Sequence, residues 1–172
     1  MTRILFTLAL TATTLSAQAQ TNLDSLYTVW EDETKADTSR TKAFSKYIER
    51  GFLYSQPDSA FALADQLIEF SIEHRQKNAQ ALGLKFQGAS YLLRGNYDKA
   101  LTAFKSALQI MERSGDQYEI AACLNNLGIT YKSKGNYSEA LKSYARASSI
   151  FEKIDHRRGA AVALRNIGVI HQ

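Results

Sequence analysis

Cysteine and proline are nearly absent from this sequence of 172 residues, which contains one of each. Because a disulfide needs two thiols, Cys123 alone excludes an internal disulfide, and it equally excludes a cysteine-rich zinc site. A single proline leaves most of the chain free to form helices. With 45% apolar and 22% charged residues, the composition disfavours disordered, collagen-like and low-complexity chains. We therefore expect a helical fold that is held together by packing alone.

Neither sign of charge dominates the chain, which has 21 Lys+Arg residues, 17 Asp+Glu residues and a formal net charge of +4. Nucleic-acid binding would call for clustered basic residues with interleaved aromatic residues, and the sequence has no such cluster. The three histidines, His74, His156 and His171, are far apart, and no metalloprotease, phosphate-loop, nucleophile-elbow or paired-carboxylate motif accompanies them. We therefore expect no catalytic residues, no metal site, no cofactor, no small-molecule substrate and no nucleic-acid partner.

Residues 1–20 have the pattern of a secretory signal. Arg3 provides a positive start, residues 4–15 are largely apolar, and Ala17-Gln18-Ala19 is a small-residue cleavage signature. The alternative is a membrane anchor, but a span needs about 20 apolar residues and this stretch is shorter and interrupted by threonines. We expect a signal peptide at 1–19, with cleavage after Ala19 and export of the mature protein.

A 40-residue repeat is the main signal of the sequence. Gly88, Gly128 and Gly168 are spaced by 40 residues, and the tripeptide Gly-Asn-Tyr at 95–97 recurs at 135–137. Such self-similarity is typical of solenoid proteins. Further positions repeat with the same period, namely Tyr91 as Tyr131, Ala100 as Ala140, Leu101 as Leu141, Phe104 as Tyr144 and Ala107 as Ala147.

Each repeat unit predicts two helices separated by a Gly-Asn turn, because glycine commonly ends a helix and asparagine tolerates turns. In the second helix, apolar residues from Tyr97 to Met111 follow an i, i+3, i+4 spacing and form one stripe that must be buried. Small residues such as Gly88 and Ala100 allow the helices to approach closely, while Phe104 fills the space between them. The pattern predicts a short helix at 23–30 and helices near 38–54, 57–75, 77–94, 97–113, 117–134, 137–153 and 157–172.

These residues resemble the tetratricopeptide repeat in its 40-residue variant. The resemblance implies an all-α fold, a right-handed α-solenoid of stacked antiparallel helix pairs with a concave groove lined by the first helix of each pair. We divide the chain into the signal peptide, a short helix and linker at 20–37, and a solenoid at 38–172. The solenoid comprises a degenerate repeat at 38–76, repeats at 77–116 and 117–156, and a half repeat at 157–172. In the degenerate repeat Ile48 replaces the glycine at position 88, and Pro57 starts a helix.

Several single residues receive structural interpretations from this register. Cys123 aligns with small residues, so we expect it to be buried at a helix contact. His171 aligns with Tyr91 and Tyr131, which predicts a ring lying between helices. Trp30 lies on an amphipathic stretch before the repeats, where covering the first helix pair is the main interpretation and a ligand platform the alternative.

Groove residues are the functional candidates. Aligned with peptide-binding relatives, the inner face of the first helices presents Lys85, Asn125, Asn126, Ile129, Lys132, Arg165 and Asn166. The resemblance implies that Asn126 and Asn166 bind the backbone of a peptide, using amide donor and acceptor together. The three basic residues favour an acidic segment. The alternative is that the asparagines bridge helices and the charges are solvated. The carboxylate clamp of chaperone-associated repeats is only partly present, because Ala89, Val162 and Asn166 replace three of its residues, so we do not expect binding of a chaperone tail.

Two functions remain open. In the first, the chain is an exported module that binds a peptide or protein segment, as the sensory part of a larger signalling protein. Its N-terminal region, from Leu23 to Ala60, resembles bacterial proteins in which such repeats precede an adenylate/guanylate cyclase or histidine kinase, which places it on the extracytoplasmic or periplasmic side of a membrane. In the second, it is a free-standing scaffold that self-associates. The last helix lacks the polar face of terminal repeats, so we expect either a longer chain or pairing of this helix with another copy.

Overall fold

The computed structural model describes residues 20–171, and this part of the chain forms eight α-helices and no β-strand. Helix α1 covers 20–31 of the described chain. The other helices are α2 (Asp37–Gly51), α3 (Pro57–Glu73), α4 (Lys77–Leu93), α5 (Tyr97–Ser114), α6 (Gln117–Ser133), α7 (Tyr137–Lys153) and α8 (Arg157–Ile170). The helix limits agree with those predicted from the repeat to within three residues. The predicted signal peptide lies outside the described residues.

The helices form a solenoid in which each one contacts only its near neighbours. Consecutive helices from α2 to α8 pack against each other, and the first helices also contact in the order α2, α4, α6 and α8. This arrangement confirms the expected all-α solenoid. The stack has two apolar cores. One lies between α2, α3 and α4, and the other extends from α4 through α8.

Glycines allow the close contact within the two regular helix pairs. A Cβ atom added at Gly88 would lie 2.7 Å from the ring of Phe104, and one added at Gly128 would lie 2.5 Å from the ring of Tyr144. Both distances are shorter than any relaxed carbon contact, so the aromatic ring of α5 or α7 occupies the space that a side chain would need. At Gly168 the equivalent space is open within the described chain.

The first helix pair is built differently. Ile48, the repeat equivalent of Gly88, is fully buried. Helix α2 packs less extensively against α3 than α4 does against α5. Aromatic packing from α1 replaces part of this contact. The Trp30 ring stacks on Phe44 at 4.1 Å between centroids and meets Phe70 edge-on at 4.7 Å. Trp30 thus covers the first helix pair, as its amphipathic setting predicts.

Five consecutive helices, α3 to α7, are each followed by a residue with positive φ. Residues 75, 95, 115, 135 and 155 all have φ between 51° and 80°, a spacing of 20 residues. Beyond four of these residues the next backbone N–H donates to the carbonyl five residues back, as Asn96 does to Tyr91 at 2.8 Å. This bond is the mark of the Schellman motif. Glycine fills three of the five positions, and Arg75 and Asp155 fill the others.

Candidate functional site

The first helices of the repeats line one concave face. Side chains from α2, α4, α6, α7 and α8, together with residues after α2 and α7, line a cavity of about 600 Å³. A second cavity of about 410 Å³ lies beside it, between α2 and α4, with a contribution from α6. We call the larger cavity the groove. Its volume falls within the range of about 300–1,000 Å³ that is common for ligand sites.

The groove is lined mainly by apolar side chains. Phe86 and Phe151 are buried in its wall, and the small side chains of Ala89, Ala122 and Val162 leave space above them. Three large apolar residues remain exposed at the same surface. These are Tyr54, Leu93 and Tyr118, with exposed fractions of 78%, 49% and 48%. Their convergence gives the groove an exposed apolar patch of the kind that marks interaction sites.

Lys85 lies in the groove but is already paired. Its Nζ donates to Oε2 of Glu119 at 2.5 Å, and the lysine is only 8% exposed. The ammonium also lies 5.4 Å from the centroid of the Phe86 ring. Because Lys85 is on α4 and Glu119 on α6, the ion pair joins two repeats. Lys85 therefore presents a compensated charge, which weakens the expectation that it attracts an acidic ligand.

The asparagines divide into two roles. Asn125 and Asn126 both line the groove, whereas Asn166 lies outside its lining. The Nδ2 of Asn166 donates to Oδ1 of Asn125 at 3.1 Å, so this pair bridges α6 and α8. For Asn166 the structure thus fits the alternative of a bridge between helices. The side-chain amide of Asn126 makes no hydrogen bond with any of residues 20–171, and it keeps a donor and an acceptor for a ligand.

The other predicted groove residues are also divided. Ile129 lines the groove. Lys132 is half-buried and Arg165 is exposed, and neither belongs to the groove lining or forms an ion pair within residues 20–171. The groove therefore brings together four of the seven predicted residues, namely Lys85, Asn125, Asn126 and Ile129.

The periodicity did not identify several groove residues. Tyr54, Tyr118 and Arg158 line the groove, but the residues 40 positions away from each are of different types, and Leu93 corresponds to a leucine only at Leu53, because residue 133 is serine. A search for recurring residues therefore passes over them. The sequence signal for these residues is local, because each of them is a large or charged residue near a helix end.

His156 lies at one end of the groove and caps α8. Its Nδ1 accepts a hydrogen bond from the backbone N–H of Gly159 at 3.0 Å. The imidazole meets the ring of Tyr118 edge-on at 5.1 Å and lies 5.2 Å from the ring of Phe151. The capping bond assigns the unprotonated nitrogen to Nδ1, so Nε2 carries the proton in the neutral ring.

The reactive side chains outside the groove have structural surroundings. Cys123 is fully buried, and its Sγ donates to the carbonyl of Phe104 at 3.3 Å. Burial raises the pKa of this thiol to about 12, which keeps it protonated and unreactive at neutral pH. His171 is exposed at the end of α8, so the prediction of a ring between helices is wrong. Within the described residues no second helix of a next pair lies against α8, which explains the difference.

No group of three His, Cys, Asp or Glu side chains among residues 20–171 is placed to hold a metal ion. No helix in the same range has both the length and the apolar character needed to cross a membrane.

Comparison with known proteins agrees with the repeat. Residues 78–153 match the tetratricopeptide repeat family. This segment covers α4 to α7, the two regular helix pairs. No curated protein matches the chain. Among solved structures, the crystal structure of BtubC (BKLC) from P. vanneervenii is similar with a TM-score of 0.71 and 19% sequence identity. The similarity covers 90% of this chain and 63% of that one, so this chain spans less than two thirds of the BtubC structure. At this identity the similarity shows the fold alone.

Proposed function

We propose that the chain is a protein-interaction module that binds a peptide or protein segment in its groove. Tetratricopeptide repeats generally mediate protein–protein interaction, and residues 78–153 match them. The observation that carries the proposal is the groove itself. Exposed Tyr54, Leu93 and Tyr118 line it together with the unpaired amide of Asn126, which combines an apolar surface with a polar group free to bind a peptide backbone.

A library of random peptides displayed on phage tests this proposal. Peptides enriched on the wild-type protein are expected to lose binding to Ala122→Trp, because the indole fills the groove. The matched control is Ala145→Trp, since Ala145 is exposed on α7 and lines no described cavity. Circular dichroism checks that both variants remain helical. Enriched peptides that bind Ala122→Trp and the wild type equally would show that the groove is not the binding site.

Asn126→Ala provides a second test that does not depend on a bulky substitution. Alanine is the best helix former, so we expect unchanged helicity together with weaker capture of the selected peptides. Asn166→Ala removes the bond to Asn125 and is expected to act less strongly, because Asn166 does not line the groove. Full capture by Asn126→Ala would rule out the amide as a contact to the ligand.

Export to the extracytoplasmic side of a bacterial membrane is part of the proposal. Its support is the sequence of residues 1–19, with Arg3, an apolar stretch and the Ala17-Gln18-Ala19 signature. Expression in a bacterial host should give a periplasmic protein whose first residue is Gln20, as read by N-terminal sequencing. A cytoplasmic protein that retains residues 1–19 would overturn it.

We further propose that the module is the sensory or scaffolding part of a larger signalling protein with a cyclase or histidine kinase domain. The support is the resemblance of the N-terminal region, from Leu23 to Ala60, to such proteins. The mass of the protein in its natural host tests this point. A natural protein no longer than these 172 residues would remove this part of the proposal and leave groove binding unaffected.

Self-association through α8 is the second candidate function. Leu164 and Val169 are exposed by 53% and 49%, and the space beside Gly168 is open. This candidate predicts oligomers whose fraction rises with concentration and which Leu164→Glu converts to monomers. Light scattering after gel filtration measures this directly. A wild-type protein that remains monomeric at high concentration would exclude it.

A further inference from the structure

The chemistry of the groove identifies the class of segment that fits it. Resting on the proposed function, we infer that the groove selects a segment anchored by a large apolar side chain and carrying no net charge at its centre, instead of an acidic tail. Ala89 and Ala122 determine this specificity. As in the proposed function, Asn126 binds the main chain of the segment.

The charge of the groove excludes an acidic tail as the favoured ligand. Of the basic residues that line the groove, Lys85 is buried, and its ion pair with Glu119 at 2.5 Å compensates its charge. The two other charged residues of the lining, Glu49 on α2 and Arg158 on α8, are exposed and have opposite signs. A carboxylate that entered the groove would have to compete with Glu119 for Lys85, and separating a mostly buried pair is costly. Within the described chain, the buried part of the groove therefore has no unpaired basic residue that could bind an acidic segment.

The apolar lining favours a hydrophobic anchor. Tyr54 follows α2, Leu93 ends α4 and Tyr118 lies in the first turn of α6, so three separate parts of the fold place exposed apolar side chains at one surface. Covering such area contributes roughly 25 cal/mol for each Å² removed from water. A ligand with a large apolar side chain gains this contribution, whereas a charged side chain would lose hydration without a partner.

Two alanines provide the space for that anchor. Ala89 on α4 and Ala122 on α6 are half-buried in the lining, and Phe86, only 2% exposed, lies in the wall near them. An aromatic or large aliphatic side chain that enters between the alanines would pack on this ring. Larger residues at either position would fill the space, so these two positions control the size of the accepted side chain.

Asn126 fixes the backbone of the bound segment. Its amide is half-buried in the lining and makes no hydrogen bond within residues 20–171. One donor and one acceptor on a single side chain match the N–H and C=O of an extended peptide. The neighbouring Asn125 cannot do this as freely, because its Oδ1 already accepts from Asn166.

The peptide library distinguishes this inference from the proposed function. We expect the peptides that depend on the groove to share a large apolar residue and to have no excess of Asp or Glu. Groove-dependent peptides that are rich in acidic residues would overturn the inference while groove binding stands. If no enriched peptide depends on the groove, the proposed function fails as well, and the inference with it.

The affinity for a selected peptide, measured by fluorescence anisotropy, separates the contribution of the two alanines from that of the ion pair. Ala122→Leu and Ala89→Leu are each expected to weaken binding at least about tenfold, the loss typical of a central anchor that is displaced. The double variant Lys85→Met/Glu119→Leu removes the ion pair at similar volume, and it should bind within about threefold of the wild type, as should the wild type at high salt. Strong loss of binding in the double variant, with helicity intact, would show that Lys85 recognises the ligand and would overturn the inference.

Discussion

At the scale of single residues, equivalent positions of the repeat lie in opposite surroundings. Gly128 faces the ring of Tyr144, whereas Gly168 faces open space within the described chain. Gly128→Ala should destabilise the protein by about 2 kcal/mol, because the new methyl group overpacks a buried contact. Gly168→Ala should stabilise it by about 0.5–1 kcal/mol through helix propensity. Urea unfolding measures both free energies. Stabilisation by Gly128→Ala would contradict the contact at Gly128, and destabilisation by Gly168→Ala would contradict the open space at Gly168.

Tyr144 carries a buried hydroxyl that has no hydrogen-bond partner among residues 20–171. The equivalent residue of the preceding repeat is Phe104, which has no such group. Removing the hydroxyl in Tyr144→Phe removes an unsatisfied polar group, and we expect the free energy of unfolding to rise by about 1 kcal/mol. A decrease would show that the hydroxyl is satisfied in solution.

The same residue makes stability sensitive to alkaline pH. Burial raises the pKa of Tyr144 from 10.0 to about 12, and that of Cys123 from 9.0 to about 12. Both groups are neutral in either state at low pH. As the pH rises, the tyrosine hydroxyl and the thiol lose their protons in the unfolded chain before they do so in the folded chain. The contribution of these two groups to the free energy of unfolding is therefore fully present below about pH 9 and is lost as the pH rises toward 12. Unfolding measured across this range should show a smaller loss for Tyr144→Phe than for the wild type.

At the scale of helices, the sequence predicts the limits well because local chemistry sets them. Gly95 and Gly135 adopt the positive φ that ends a helix, and Pro57 occupies a first-turn position where its missing N–H is not needed. Arg75 and Asp155 adopt the same conformation without a glycine signal. Helices α3 and α7 end before these residues because the next helix must turn back. This constraint comes from packing, and the local sequence does not indicate it.

These two residues provide a prediction about helix ends. Side chains other than glycine pay about 1 kcal/mol in the left-handed conformation, so Arg75→Gly and Asp155→Gly should each stabilise the protein by about 0.5–1 kcal/mol. Gly135→Ala is the matched opposite change, since nothing crowds the Cβ position but φ is 78°. It should destabilise by about 1 kcal/mol. Thermal unfolding compares the three variants. Destabilisation by the two glycine substitutions would mean that the side chains of Arg75 and Asp155 hold their turns.

At the scale of the whole molecule, the repeat predicts the solenoid but only part of the groove. Periodicity finds residues that are equal across repeats, whereas partners need not be equal. Lys85 and Glu119 are 34 residues apart and join α4 to α6, a contact that a 40-residue register does not reveal. Tyr54 and Tyr118 do not recur at this period, and Leu93 corresponds to a leucine only at Leu53, so the repeat does not single them out. The chemistry of the groove thus depends on the departures from the repeat.

The stacked architecture also predicts how damage spreads. Trp30 packs against Phe44 and Phe70 at the N-terminal end, and the guanidinium of Arg40 lies 5.5 Å from its ring. Trp30→Ala should cost about 2 kcal/mol, because a half-buried aromatic contact is lost. Since stability in a solenoid is a sum of local and nearest-neighbour contributions, this loss should remain near α1 to α3.

Native-state hydrogen exchange resolves that distribution. In Trp30→Ala, amide protection should fall in α1, α2 and α3 and remain close to the wild type in α6 to α8, which share no contact with α2 or α3. Tyr137→Ala is the control, because Tyr137 is 55% exposed and its truncation should change protection little. A uniform loss of protection across all helices would mean that the described chain unfolds as one cooperative unit. The two cores would then be coupled through α4, the helix that belongs to both.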